Sequence, residues 1–447
     1  MKGSGFMMKK RTTFLACLLI TAAMITGCSD TVKIKVDESG SSVSTTQEVT
    51  EISEETGSPD ETESVSEDVT DYSSEASSEA VQLSESTGSS NGVIDTTDMF
   101  TERDLTQTPD LTDAQYIEVK DGQDFEITSE GTYVINGTAA DCTILVSAPE
   151  DAKVQLVLDG VSITNENDAA ILVTECDKVF VTLIGENSSA VTGTFEAVDD
   201  MNIDAVIYSK SDLVLNGSGS VNISSTANGV TTKDDLKVTG GTYNVSVTSD
   251  AFEANDSISV SDGTFNITSA KDGFHSENSD DYTVGSVYIA GGTFTINSTS
   301  DGIQGTTIVQ IDGGTFDITS SEGIEGTYVQ INGGTISISA SDDGINASPN
   351  TTEYSVVIEI NGGELTIVMG QGDTDAIDAN GSIYVNGGTI DITAQMSSFD
   401  YDGEAQLNGG TVVINGTQVT EIPQSMMGGG GRIAGGGMGG MHRGGMA

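Results

Sequence analysis

From Gly219 to Ile414 apolar and polar residues alternate in short bursts, separated by turns rich in glycine and acidic residues. The bursts recur on a motif G-T-Φ-x-Φ, where Φ is apolar: GSVNI at 219, GTYNV at 241, GTFNI at 263, GTFTI at 292, GTFDI at 314, GTISI at 334, GELTI at 363, GTIDI at 388 and GTVVI at 410. Successive starts lie 22, 22, 29, 22, 20, 29, 25 and 22 residues apart. A basal unit of about 20–22 residues with occasional insertions suits one coil of a right-handed parallel β-helix. Each coil supplies three short strands and buries its inward side chains on the coils above and below. The expected fold is therefore all-β, a β-solenoid.

One coil illustrates the pattern. Phe294 and Ile296 point inward while Thr293 and Thr295 point out, as period-two alternation requires. A turn at Ser300-Asp301-Gly302 follows, then Ile303 inward and Gln304 outward. Val309 and Ile311 form the third strand, and Asp312-Gly313-Gly314 turns into the next coil, where glycine tolerates positive φ. No proline interrupts Gly219–Ala347, which agrees with fully paired strands. Upstream, CTILVSA, VQLVLDGVSIT and AVIYSKSDLVLNG are strand-like without the strict motif and predict less regular first coils. IEVKDGQDFEITSEGTYVI is expected to cap the open end.

Stacking in register turns one position per repeat into a column with a spacing of about 4.8 Å. The outward residues of the motif strand, Asn222, Asn244, Asn266, Thr295, Asp317, Ser337, Thr366 and Asp391, predict a flat polar face. It is read either as a solvated sheet surface or as a dock for a hydroxyl-rich chain. A second column is acidic: Asp250, Asp272, Asp301, Glu322, Asp343 and Asp375. Three residues after each stand Glu253, His275, Gln304, Glu325, Asn346 and Asp378. Repeated carboxylates repel one another, and Ca²⁺ held by carboxylates of neighbouring coils would relieve that cost. The metal candidates are thus Asp250, Glu253, Asp272, Asp301, Glu322, Glu325, Asp343, Asp375 and Asp378; ordinary Asp-Gly turns are the competing reading. A third column, Lys237, Ser259, Tyr288, Gln310, Gln330, Glu359, Tyr384 and Gln406, offers Tyr288, Gln310 and Tyr384 as sugar contacts.

Two insertions, SENSDDYTVG at 276–285 and SPNTTEYS at 348–355, fall between the second and third strands of coils three steps apart. They are expected to wall a saccharide groove over Asp301, Gln304, Glu322 and Glu325, with Asp280, Asp281 and Glu353 reaching in.

A net charge of −53 over 447 residues argues against nucleic acid or anionic lipid as a partner of the folded region. The basic run Lys9-Lys10-Arg11, a short apolar segment and Ile25-Thr26-Gly27-Cys28 resemble a bacterial lipoprotein signal. That resemblance implies export and lipid attachment at Cys28 to the outer face of the cytoplasmic membrane, exposed at the cell surface. Residues 29–110 are Ser-, Thr- and Glu-rich and predict a disordered, self-repelling linker. The solenoid is expected over 111–424 and a flexible Gly/Met-rich tail over 425–447. Cys142 and Cys176 remain after the signal; they either pair or stand as buried thiols.

The export signal, the acidic linker, the repeats S-D-G-I-x-[AG] and [ND]-G-G-T-[FI]-x-I, and the Gly/Met tail together resemble a bacterial family of surface carbohydrate-binding β-helix proteins. The likeness covers about 130–447 and implies a pectate-lyase-like fold, bound calcium, cellulose or pectic polymers as ligands, and no established catalysis. A monomer is expected.

Catalysis finds little support in the residues. A lyase needs a basic residue to abstract a proton. No arginine lies between Arg103 and Arg432, and the seven lysines there are scattered, with Lys271 beside Asp272. His275 is the single histidine of the repeat region, which leaves no material for a nucleophilic triad. The reading is a calcium-dependent polysaccharide binder, with a structural adhesin or a lyase as alternatives.

Overall fold

The computed structural model describes residues 93–197, 201–372 and 374–423, together with the backbone of 32–34. No helix occurs among them; short strands follow one another from Gln115–Glu118 to Thr417–Val419. Almost every pairing is parallel, and each strand pairs with the one a full coil away. The chain is a parallel β-helix with three sheets along its axis.

The first sheet holds the glycine-motif strands, with Tyr243↔Phe265, Phe265↔Phe294 and Phe294↔Phe316 in register. The second carries the acidic turns, with Phe252↔Phe274, Phe274↔Ile303, Ile303↔Ile324 and Ile324↔Ile345. The third aligns Val260↔Ile289 and Ile289↔Ile311. All of these inward residues are buried. Identical side chains one coil apart sit at nearly the stacking distance of aromatic rings, so Phe265, Phe294 and Phe316 stack with centroids 4.7 and 4.5 Å apart. Phe252 and Phe274 form a second stack at 4.9 Å and meet the first edge-on.

Glycine follows from this close stacking in two ways. Gly314, the second glycine of its turn, has φ +108°, a conformation L side chains rarely adopt. Gly323, after the acidic residue Glu322, needs no positive φ; a Cβ there would lie 2.3 Å from the Gly344 carbonyl oxygen of the next coil.

The N-terminal end differs from expectation. The segment expected to cap the solenoid is itself the first coil: Gln115–Glu118 pairs with Tyr133–Asn136, and Phe125–Ile127 pairs with Ile144–Val146. Val32–Ile34 adds one more parallel strand on Phe125–Ile127. At the other end Thr417–Val419 folds back antiparallel on Thr411–Ile414 and terminates the first sheet.

The linker expected over 29–110 is folded from Val93 onward, lying along the third sheet. Val93 and Ile94 donate their backbone N–H groups to Gln330 Oε1 (3.1 Å) and Gln310 Oε1 (2.8 Å). Lys237 Nζ reaches the Met99 carbonyl at 2.6 Å. The Arg103 guanidinium lies 4.3 Å over the Phe180 ring, and fully buried Asp104 approaches Lys178 at 3.9 Å. Gln107 accepts from Gly217 N (2.8 Å) and donates to the Thr239 carbonyl (3.0 Å). The strap thus runs against the coil order, from the level of Gln330 back to that of Phe180. Cys142 and Cys176 are free, buried thiols. Cys28, the rest of the linker and the tail from residue 424 lie outside the described residues.

Candidate functional site: an acidic column on the second sheet

The expected second column forms in register: Asp301↔Glu322, Gln304↔Glu325, Glu325↔Asn346, Asp343↔Asp375 and Asn346↔Asp378. The structure adds a role for its carboxylates that alternation alone does not reveal. Asp250 N–H donates to Asn228 Oδ1 at 3.0 Å, Asp272 N–H to Asp250 Oδ1 at 3.0 Å and Asp301 N–H to Asp272 Oδ1 at 2.9 Å. Asp375 N–H repeats the contact with Asp343 Oδ1 at 3.2 Å. One oxygen of each of these side chains satisfies a backbone donor in the next coil, as buried N–H groups require. The turn reading and the ligand reading are therefore compatible, since Asp250 and Asp272 each keep a second oxygen.

The second oxygens meet different surroundings along the axis. At Asp250 and Asp272 they face cations: Lys271 Nζ lies 3.0 Å from Asp250 Oδ2 and 3.7 Å from Asp272 Oδ2, and His275 Nδ1 lies 3.7 and 3.6 Å from the same atoms. Burial opposes ionisation of Asp250, yet the His275 ring 3.7 Å away and the charge of Lys271 hold its carboxyl below the usual range. The same carboxylates raise His275 against the effect of burial. Glu253 is answered likewise, by Thr231 at 3.2 Å, Lys233 at 3.4 Å and Asn228. These coils carry their own countercharge.

Among the described residues the next two coils have none. Carboxylate oxygens of Asp301, Glu322 and Glu325 all fall within 4.8 Å of one another. Asp301 is buried and the two glutamates are half-buried. Only amides approach: Gln304 Nε2 to Glu325 Oε2 (2.8 Å), Asn346 Nδ2 to Glu322 Oε2 (2.9 Å) and Asn350 Nδ2 to Glu325 Oε1 (3.3 Å). Burial, then Asp272, Glu325 and Glu322, push the Asp301 carboxyl up to about 8. Burial also raises Glu322, with the Asn346 hydrogen bond opposing it. This oxygen-only, negatively charged donor set fits Ca²⁺ far better than the histidine-containing coil does.

Further along, burial and Asp378 raise Asp343 to about 7, and burial, Asp375 and Asp400 raise Asp378 to about 6. Asp343, Asp375 and Asp378 are not gathered into a three-ligand group among the described residues. Asp400, paired with Asp378, extends the row by one coil. Sequence alignment on the glycine motif missed a third acidic group, Asp212, Asp234 and Asp235, because it sits on the turn into the third sheet. The adjacent acids of KDDLKV were its signal.

The two insertions do lie together: Tyr282 and Thr283 of one face Pro349–Glu353 of the other across a cleft of about 220 Å³. Their acidic residues do not line the carboxylate trio as expected. Asp281 turns back on its own loop, accepting from Thr283 N (3.0 Å) and Oγ1 (2.6 Å). Asp280 and Glu353 point to solvent, and Asn350 makes the contact with Glu325.

The third column forms in full register, yet two of its proposed sugar contacts are inaccessible. Gln310 is fully buried beneath the strap, and Tyr288 is 7% exposed with its hydroxyl donating to Asp312 Oδ2 at 3.0 Å. Tyr384, beyond the strap, is half-buried. On the first sheet the asparagine column is a hydrogen-bonded ladder, Asn266 to Asn244 at 2.8 Å and Asn244 to Asn222 at 2.9 Å.

The profile of the family described as carbohydrate-binding domain-containing protein matches residues 121–376, more than half of the chain and all of the acidic column up to Asp375. The chain belongs to that family. A protein of Acetivibrio thermocellus with the same description is 36% identical over 124 residues, 27% of this chain and 43% of that relative. The match therefore spans less than half of the relative's length. A solved structure described as a polysaccharide lyase-like protein from C. thermocellum, a gadolinium derivative, aligns over 69% of this chain and 96% of its own at 22% identity, with a TM-score of 0.30.

Proposed function

We propose that the protein is a calcium-dependent, non-catalytic polysaccharide-binding protein held at the bacterial surface through Cys28, with a pectin-like polyuronate as ligand. The observation that carries this reading is the Asp301–Glu322–Glu325 group, where, among the described residues, three carboxylates of the column converge and only amides answer them. Ca²⁺ held by these oxygens would supply the positive charge through which a polyanionic protein meets an anionic polymer; Gln304 and Asn346 would steady the ligating carboxylates. Cellulose is the less favoured ligand, because the chain has no tryptophan to form an aromatic platform.

The lyase alternative loses its best base. Lys271 has its ammonium between Asp250 and Asp272, which raise its pKa against burial and keep it protonated near neutrality. Binding of polygalacturonate to the full chain, measured calorimetrically with Ca²⁺ and with chelator, tests the proposal. Saturable binding that disappears in chelator and in Asp301→Asn supports it. Binding that ignores both, or a rise in ultraviolet absorbance from unsaturated products, refutes it.

A further inference from the structure

The outward row of the second sheet is interrupted between two acids. Glu126 is followed in register by Leu145, Leu172, Tyr208 and Thr231 before Glu253 resumes the acidic run. Leucines on an outward face lose free energy unless something covers them. Part of the cover is the segment before Ala205: Ile203 packs with Ala169, Leu172 and Tyr208, and Phe195 and Met201 lean on the same cluster.

The cover is incomplete. A cavity of about 240 Å³ remains, lined by Leu145, Leu172 and Ile203 and by the acids Asp124, Glu126, Asp168 and Glu196. Thr143 shapes it, donating its backbone N–H to Asp124 Oδ1 and its hydroxyl to the Ala169 carbonyl, both at 2.8 Å. Asp124 is thereby held in place. No ion pair among the described residues reaches Asp124, Asp168 or Glu196. Burial, then the charges of Asp124, Glu196 and Asp141, raise the Asp168 carboxyl, the direction expected where like charges meet without a cation.

An apolar floor beside Asp124, Asp168 and Glu196, which no cation pairs among the described residues, is complementary to a small cation with an apolar body. It is equally hostile to a uronate, whose carboxylate would add to the repulsion. The space is of the size of one six-membered sugar ring, and the chain's family is carbohydrate-binding. We infer that this cavity is a second binding site, separate from the acidic column, for a protonated amino sugar. The apolar face of the ring lies on Leu145 and Leu172, and the ammonium lies among Asp124, Asp168 and Glu196.

The inference does not depend on the calcium reading, and the test keeps the two apart. Glucosamine is titrated into the full chain by calorimetry, beside N-acetylglucosamine and glucose, which lack the charge. Asp168→Asn and Glu196→Gln are compared with Glu364→Gln, an exposed acid of the first sheet. The expected result is one saturable glucosamine site, at least tenfold weaker for both neutral sugars. Affinity should fall at least tenfold in Asp168→Asn or Glu196→Gln, and Glu364→Gln and calcium-dependent polygalacturonate binding should stay unchanged. No saturable site at millimolar glucosamine, equal binding of N-acetylglucosamine, or the same affinity in all three variants overturns the inference.

Discussion

In chelator, raising the pH from about 5 to about 8 should destabilise the protein, and calcium should remove most of that loss. The groups responsible are carboxyls whose folded pKa lies above the unfolded value of 3.8: Asp301 at about 8, Asp343 at about 7 and Asp378 at about 6. Each binds its proton more tightly when folded. Its stabilising share is complete below the unfolded pKa and is lost as pH rises through the folded one. For Asp301, a folded pKa of about 8 against 3.8 unfolded bounds the loss between pH 5 and pH 8 at about 4 kcal/mol. The residue is 6% exposed, so solvent screening reduces this little, but Glu322 and Glu325 share the same repulsion and their effects do not add. For a solenoid of roughly 300 residues, an unfolding entropy of about 0.6 kcal/mol/K converts the bound into a fall of about 6 °C. His275, raised by its carboxylates, loses its share in the same direction and leaves a residual slope even with calcium. The assay is the thermal midpoint by circular dichroism, for wild type and Asp301→Asn, across this pH range in chelator and in millimolar Ca²⁺. Calcium at a hundredfold its Kd should add about 2.7 kcal/mol. A flat profile in chelator, or an Asp301→Asn profile as steep as the wild type, refutes the reasoning.

Three further outcomes follow from the packing. Asp272→Ala should cost about 1–3 kcal/mol, because it orphans the Asp301 N–H, whereas Asp272→Asn keeps an acceptor and should cost clearly less; equal losses in urea unfolding would contradict the axial ladder. Phe294→Ala, in the middle of the ring stack, should destabilise by about 3–5 kcal/mol in the same assay, and a loss below about 1 kcal/mol would mean the stack is not tightly packed. Against a chain that starts at residue 93, one that starts at residue 108 should have a thermal midpoint lower by several degrees, since that uncovers Gln310 and Gln330 and leaves Lys178 without buried Asp104; identical midpoints would show that the strap adds no stability.

What the sequence determined by itself is whatever repeats. In a solenoid, a spacing of 20–22 residues places like positions over like, so period-two alternation was enough to locate the three sheets, the Phe stack and the register of all three outward columns. The second glycine of each [ND]-G-G turn was legible for the same reason, as a positive φ required once per coil.

Everything that breaks the repeat was decided by tertiary structure. The acidic column looks uniform in sequence, but Lys271 and His275 neutralise two coils while Asp301, Glu322 and Glu325 stay unanswered. That difference depends on where side chains from adjoining coils reach. Tyr288 and Gln310 alternate as exposed residues should, yet Gln310 bonds to Ile94, 216 positions earlier in the chain, and no local pattern encodes that contact. The cavity over Leu145 and Leu172 arises likewise, where residues before Ala205 leave the first sheet and cover an outer face that alternation assigns to solvent. Periodicity reports the field each coil makes for its neighbours, which is the same at every step. Compensation of charge and covering of surface depend on segments that occur once, and only the folded chain brings them there.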